Sequence, residues 1–500
     1  MPIAQSPIRL LSFLAPVTIL TVGACAEDNL GKAEADEAGY TEGRTESADD
    51  VETSEDAESS GSGSNSSSSS ESGPGTTGGS GSGGPKFDIL STPDNGDGCG
   101  GGDNDATLTG TVFAPNGTIP VVNALVYTTN IEPEGIQDGV YCAECVELEC
   151  GLDYTETDID GSFTLPTDSG NNKYLVVQKG QFMRITQLDI DPGETELDDG
   201  DVELPGEWNP DAGLYIPRIA VADGTYDRIE DALGKFGLAD TSISSFEESS
   251  IPGTESFDLY DNGRNPASDG FISQGTMGTL VNDPELMAQY HIIFVPCSSD
   301  TFSNSLTPQA IENIREWVAA GGRWYAADWS GEFFWKVFPE YQTFYGGQNT
   351  DLGSYDSLAD VLDDGMLAWL EGMPDVHKDI NPFNDEAHPT LFDLPQVQTV
   401  DNWSGIQYPL PELLVEDGEG NPVNVGLRAW LEGPGGGGIP QNDIHPLTVT
   451  GQYGCGKIQF TSYHTAEFFD YVGLSPQELV LLYTILEIGV CQEALPPPQG

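Results

Sequence analysis

Basic side chains are scarce. The 500 residues hold 17 Lys and Arg against 82 Asp and Glu, a formal net charge of -65. Nucleic acid and anionic membrane surfaces both select for clustered Lys and Arg, so the balance argues against either as a partner. The acid excess reads as a solvated coat, with diffuse divalent-cation binding as the lesser alternative. Histidine is scarcer still, with five in the chain, so any site that needs imidazole has few candidates. The apolar run at 10–22 is broken by Pro16 and falls short of the ~20 residues that span a bilayer. What the chain does have is Gly, Ser and acid in its first hundred residues and a hydrophobic content of 37% overall, enough for two or three domains with cores of their own.

Arg9 ahead of the short apolar run has the form of a secretory signal peptide. The run ends in Val22-Gly23-Ala24-Cys25. This resembles the lipobox of bacterial lipoproteins, in which two small residues precede a cysteine that becomes lipidated and N-terminal after cleavage. The resemblance implies a signal peptide over 1–24, export, and a membrane anchor through Cys25. Ala26, where inner-membrane lipoproteins often carry Asp, is compatible with the outer membrane or cell surface. Residues 25–105 are Glu, Asp, Ser and Gly with almost no large apolar side chain. They cannot bury enough surface to offset their ordering entropy and read as a disordered acidic linker. A coil of this kind reaches ~50 Å and holds the folded part away from a membrane.

Short strands with turns between them begin near Leu108: 108–113, an Asn116-Gly117 turn, 121–127, 157–165 and 174–180. This spacing predicts a small antiparallel β-sandwich over 106–205. The Pro120-Val121 strand with Ala124, Thr157-Asp158 through Gly161 and Phe163, and the closing Val177 and Gly180 resemble the carboxypeptidase regulatory-like, transthyretin-like domain. That resemblance implies an accessory module without catalytic residues, interrupted here by a long insertion over 130–153. The insertion holds Cys142, Cys145 and Cys150, with Cys99 nearby. Zinc would need two separated pairs. The exported context favours two disulfides among these four, with all three pairings open. Residues 189–204, acidic with a Pro-Gly, read as a linker.

The second unit, 206–495, has strands at 218–222 and 257–260, helices at 226–236 and 283–288, then strand 291–297, helix 308–320, strand 324–327 and a turn into 332–335. Ile311, Ile314, Trp317 and Val318 share one helical face, and Gly321-Gly322 ends that helix. Alternating strands and helices predict an α/β parallel sheet, whose ligands sit at the C-terminal strand ends. Those ends carry Cys297, Ser298, Asp300, Asp328 and Ser330. The region 340–410 reads as an insertion over the sheet edge with one helix at 358–372. Strands return at 423–430, 447–453 and 456–464, with a last helix at 476–488. Tyr290 to Pro296, Ile314 to Arg323, and Gly454 to His464 resemble the class I glutamine amidotransferase-like domain, nearest its trehalose-utilisation-type branch. That implies a flavodoxin-like sheet, a cysteine on an elbow after a strand, and a late His-x-Glu.

The elbow here reads Asp328-Trp329-Ser330-Gly331, without a cysteine. His464 holds the late position, and its acid, Glu467, stands one residue further than in the family. An amidotransferase reaction is therefore not expected. Ser330 with His464 and Glu467 could form a serine hydrolase site, or Ser330 could cap the helix that follows. Cys297 could be the nucleophile, or could pair with Cys455 or Cys491. Asp328, Trp329 and Asp300 could line a ligand cleft without chemistry, beside aromatics that suit sugar rings or simply pack a core. His388 with Asp328 and His464 is a lesser metal reading; no metal and no cofactor are expected. The reading preferred is a binding or structural role at the cell surface toward a carbohydrate or cell-envelope ligand, and the alternative is a hydrolase of carbohydrate or amide at the Asp328, Ser330 and His464 end. Replacing Cys25 by Ser is expected to move the protein from the membrane to the soluble fraction on cell fractionation; unchanged membrane partition defeats the lipid anchor.

Overall fold

The computed structural model describes residues 104–143, 152–244, 247–298, 305–347, 352–378, 392–465, 471–488 and 495–498. The expectations for the signal peptide, Cys25, the acidic linker, Cys99, Cys145, Cys150, Asp300, His388, Glu467 and Cys491 lie outside the described residues. No helix among the described residues is long and apolar enough to cross a membrane.

The first eight strands are β1 (Ala106–Thr111), β2 (Leu125–Thr129), β3 (Asp153–Glu156), β4 (Ser162–Thr167), β5 (Gly170–Lys179), β6 (Phe182–Ile190), β7 (Gly193–Glu196) and β8 (Leu214–Tyr215). They form a three-stranded sheet, order β4-β1-β7, and a five-stranded sheet, order β3-β2-β5-β6-β8. Period-2 patterning explains the burial. In β4, Phe163, Leu165 and Thr167 are buried while Thr164 and Pro166 are exposed. Leu108, Phe163 and Leu165 of one sheet share a core with Val126, Leu175 and Val177 of the other. The segment expected to be a linker, 189–204, is part of this structure: β7 pairs in parallel with β1, and Val202 and Leu204 are buried. Ile190 is buried as well, and Leu197 packs against the same core.

The remaining strands are β9 (Ile219–Gly224), β10 (Thr241–Ser244), β11 (Glu247–Ser250), β12 (Asp258–Asn262), β13 (Ser273–Thr276), β14 (Ile292–Val295), β15 (Arg323–Ala327), β16 (Tyr355–Val361), β17 (Phe392–Asp393), β18 (Gln396–Asn402), β19 (Leu414–Glu416), β20 (Pro422–Asn424), β21 (Arg428–Pro434), β22 (Ile444–Tyr453) and β23 (Gly456–Thr461). β10–β11 and β19–β20 are separate hairpins. The rest form one 11-stranded sheet, order β13-β12-β9-β14-β15-β23-β22-β21-β16-β18-β17. It is parallel from β13 to β23 and antiparallel from there to β17. The parallel expectation thus covers half of a mixed sheet. The 340–410 region is not a cover over the edge: its described residues supply β16, β17 and β18, which extend the sheet. Residues 358–361, expected to be helical, belong to β16. There Tyr355, Ser357 and Ala359 are buried and Asp356, Leu358 and Asp360 exposed, a period of two. The helix begins after Asp363, whose side chain accepts from Met366 N–H.

Successive residues of the central strands serve two cores. Ile292, Phe294, Tyr325 and Ala327 face the side that holds the helix Pro476–Ile488 and is continuous with the small sheets. Ile293, Val295, Trp324 and Ala326 face the helix Pro308–Ala319. That helix starts at Thr307, whose hydroxyl accepts from Ala310 N–H, and presents Ala310, Ile314, Trp317 and Val318 to the sheet. It stops before Gly321, at φ +119°.

Residues 130–143 run along the N-terminal ends of β9, β14 and β23. The Gln137 carbonyl meets His291 Nε2 at 2.9 Å, Val140 N–H donates to Ala288 at 2.9 Å, and Asp138 pairs with Arg218 at 3.0 Å. Cys142 is disulfide-bonded to Cys455, 313 residues further on. This corrects the expectation that Cys142 pairs within its own cluster, and it removes Cys455 as a partner for Cys297. The strap brings Cys142 to the turn before β23, a contact the local spacing of cysteines does not encode. A cross-link closing so long a loop is worth ~2–5 kcal/mol. The double substitution Cys142→Ser, Cys455→Ser is expected to lower the unfolding free energy by about that amount in urea titrations, and non-reducing peptide mapping is expected to recover the linked pair. A map that joins Cys142 to Cys145 or Cys150 contradicts this pairing.

Candidate functional site

Four adjacent parallel strands, β9, β14, β15 and β23, end at one place. β15 leaves the sheet at Ala327 and turns at once into the short helical segment Asp328–Gly331. Asp328 makes the turn at φ +47°. This left-handed region costs a side-chain-bearing residue ~1 kcal/mol, less for Asp than for most. The turn delivers its carboxylate into the sheet edge. Asp328 Oδ2 lies 3.2 Å from His464 Nε2 and 3.9 Å from Cys297 Sγ, and the three atoms lie within 4.8 Å of one another. Cys297, Asp328 and His464 are 0%, 0% and 3% exposed. Asp328 Oδ1 and His464 Nδ1 are buried without a hydrogen-bond partner among the described residues.

The surroundings hold this trio in place. A Cβ at Gly224 would stand 2.3 Å from the Cys297 carbonyl oxygen, so only glycine lets β9 end this close to β14. Tyr226 N–H donates to the same carbonyl at 3.2 Å. Asp227, fully buried, accepts from Thr465 N–H at 3.0 Å, and Gln477 Nε2 donates to the His464 carbonyl at 2.6 Å. Three half-buried rings stand beside the trio. Trp329 meets Tyr226 at 5.3 Å and Trp403 at 5.2 Å, both edge to face. Each ring is next in sequence to a buried polar residue of the site: Asp328, Asp227 and Ser404.

Burial raises the Asp328 carboxyl to about 7, with His464 drawing it down. Burial pushes the Cys297 thiol up to about 12, against the lowering pull of His464. Burial works against a charged His464, yet Cys297 and Asp328 hold it well above the usual histidine range. At neutral pH the buried thiol therefore keeps its proton. A protonated thiol is a weak nucleophile, so the trio by itself is not a primed nucleophile.

The sequence-derived candidates divide accordingly. Ser330 is buried, and its hydroxyl donates to the Pro296 carbonyl at 2.6 Å. It does not cap the helix Glu332–Trp335, which has no side-chain cap, and His464 turns to Asp328 instead. Cys297 is a free, buried thiol. Trp324, Tyr325, Phe333 and Phe334 are core residues; of the aromatics that crowd this stretch, Trp329 reaches the site. Tyr226, Asp227, Trp403 and Ser404 were missed. The first two fell within an expected helix. The last two follow β18, whose alternation Gln396-Val397-Gln398-Thr399 was the available signal.

A buried trio at the C-terminal edge of a mixed α/β sheet, with Asp at the strained elbow, defines the class of site. No protein-family profile matches this chain, and no curated protein matches it. Solved structures similar to it include a cytoplasmic protein from Salmonella typhimurium at 11% identity, covering 54% of this chain and 98% of that one, with a TM-score of 0.25. A second cytoplasmic protein from Salmonella typhimurium LT2 matches at 10% identity, 55% and 100% coverage and a TM-score of 0.26. A ThuA-like protein from Bacteroides uniformis matches at 13% identity, 43% and 76% coverage and a TM-score of 0.26. Likenesses this remote assign neither family nor activity.

A second buried polar group flanks the site. Asp223 ends β9, and Glu230 and Asp231 lie on the helix Ile229–Leu233. Arg264 meets Glu230 at 2.7 Å, Asp269 at 2.9 Å and Asp223 at 3.6 Å, and Arg228 meets Glu230 at 3.2 Å. Four carboxyl groups share two guanidiniums, so ionising all of them would leave surplus negative charge. Burial raises Asp223 to about 8 and Asp231 to about 6, and lifts Glu230 as well. The folded state thus holds protons that the unfolded chain releases near pH 4, and stability falls as pH rises from about 4 to 8. The urea midpoint is expected to be higher at pH 5 than at pH 8, and Asp223→Asn is expected to flatten that fall. A midpoint that rises over this interval contradicts the assignment.

Proposed function

We propose that this chain is an exported protein, lipid-anchored through Cys25 at the outer membrane or cell surface, that binds a carbohydrate ligand of the cell envelope at the C-terminal edge of its large sheet. The transthyretin-like reading of the first two sheets makes them an accessory module in this scheme, and the flavodoxin-like reading makes the large sheet the ligand-bearing domain. The observation that carries the proposal is the group of half-buried rings, Tyr226, Trp329 and Trp403, set against buried polar side chains. Apolar ring faces stack on the C–H faces of sugars, while a few convergent polar groups fix orientation. An amidotransferase role is not part of this reading, because the elbow presents Asp328 and the nearest thiol keeps its proton. The runner-up, a hydrolase of carbohydrate or amide, draws support from Cys297 lying beside His464. Turnover lost in Cys297→Ser but kept in Ser330→Ala would favour it.

The test is calorimetric titration of the full-length chain with soluble cell-wall oligosaccharides. Trp329→Ala is expected to weaken binding at least tenfold, about 1.4 kcal/mol, with the far-ultraviolet spectrum unchanged. No binding by the unaltered protein across such a panel, or equal binding by the variant, defeats the proposal.

A further inference from the structure

The trio at the sheet edge is not fully explained as a set of hydrogen bonds. A thiol, a carboxylate and an imidazole are taken out of water together. Two contacts answer for them, His464 and the Cys297 thiol each to Asp328 Oδ2, and Asp328 Oδ1 and His464 Nδ1 remain unpartnered among the described residues. Buried polar groups left in this state are costly. The backbone adds to the cost, since Asp328 is held at φ +47°.

The donor set has a different logic. Tetrahedral zinc takes sulfur at about 2.3 Å and nitrogen or carboxylate oxygen at about 2.0–2.2 Å. Tetrahedral angles then place nitrogen and oxygen ligands about 3.4 Å apart, and sulfur and oxygen ligands about 3.6 Å apart. The observed separations are 3.2 Å for His464 Nε2 to Asp328 Oδ2 and 3.9 Å for Cys297 Sγ to Asp328 Oδ2. Two of the three ligand separations therefore already approach tetrahedral edge lengths, and all three atoms lie within 4.8 Å of one another. A thiolate and a carboxylate together neutralise a divalent ion, which suits a site without solvent. Sulfur and imidazole select zinc or cobalt over magnesium and calcium, which prefer all-oxygen sites. Metal coordination also displaces the thiol proton that burial otherwise retains.

We infer that Cys297, Asp328 and His464 bind one divalent transition-metal ion of the zinc class, leaving a coordination position open toward a ligand. This deepens the proposed function and rests on it only for the ligand, not for the ion. The strained elbow then has a reason: it aims a hard carboxylate at the ion where a cysteine elbow would aim a nucleophile.

The test uses the full-length chain after chelation and removal of the chelator, titrated with cobalt(II) in excess magnesium. Magnesium occupies the acidic coat and suppresses diffuse carboxylate binding. Uptake of about one cobalt per chain is expected, with a near-ultraviolet thiolate-to-cobalt charge-transfer band that zinc displaces. Cys297→Ser is expected to abolish the band, and His464→Gln to weaken uptake at least about tenfold. Should either variant fail to fold, the band in the unaltered protein still decides: its absence overturns the inference. A band that survives in folded Cys297→Ser also overturns it, because another cysteine must then be the ligand. Cobalt uptake without oligosaccharide binding defeats the ligand proposal and leaves the metal centre. Oligosaccharide binding by a chain that takes up no cobalt defeats the centre and leaves the ligand proposal.

Discussion

The strand Arg323–Ala327 is buried on both faces, with every residue shielded from solvent. It cannot curl, slide or fray without exposing Trp324 and Tyr325, one to each core. Its neighbours β14 and β23 are therefore set in register on either side, and the residues that follow each strand emerge together. The chain must leave this strand within one residue to enter the segment Asp328–Gly331. Asp328 accepts the left-handed backbone that such an exit demands. The meeting of Cys297, Asp328 and His464 follows from that exit, not from any tendency of those side chains to associate.

The opposite edge of the sheet is secured by other means. The 130–143 strap is fixed there through Gln137, Asp138, Val140 and the Cys142–Cys455 bridge. Further in, Lys179 pairs with Glu487 at 2.8 Å, and Lys235 with Glu478 at 2.9 Å. All four side chains are almost wholly buried. Removing one member of such a pair strands a charge and costs ~3–5 kcal/mol, although the pair itself adds little over a well-packed apolar replacement. Their value is in register: each ties the last helix to an earlier element, so the helix that covers one face of the sheet has a single seating.

These pairs give the charge imbalance a second meaning. With 17 basic residues in 500, the chain still places Lys179, Lys235, Arg228, Arg264 and Arg323 in buried or half-buried positions. The scarce cations are used inside, where a lone carboxylate is most costly, and the surface is left to acids that water can solvate. Even so, the Asp223 and Glu230 group has more carboxylates than guanidiniums. Its carboxyls accordingly hold their protons to higher pH than solvated acids do.

How much of this could be read from the chain alone depended on range. The period of two in β4, the helix Pro308–Ala319 and the apolar strands on either side of it follow from local patterns, as does the missing cysteine at the bend after Ala327. Signals failed where they were diluted: the acids of 189–204 hid the pairing of β7 with β1, and the Pro- and Asp-rich stretch before Trp403 hid three strands of the sheet. Where the apolar pattern is undiluted, the sequence by itself determined which segments are strands and helices, because a side chain's face is set by its own neighbours. The tertiary structure alone decided that Cys142 meets Cys455 and that Cys297 meets Asp328 and His464. Those contacts depend on strand order, and no strand's own pattern says which strand will lie beside it.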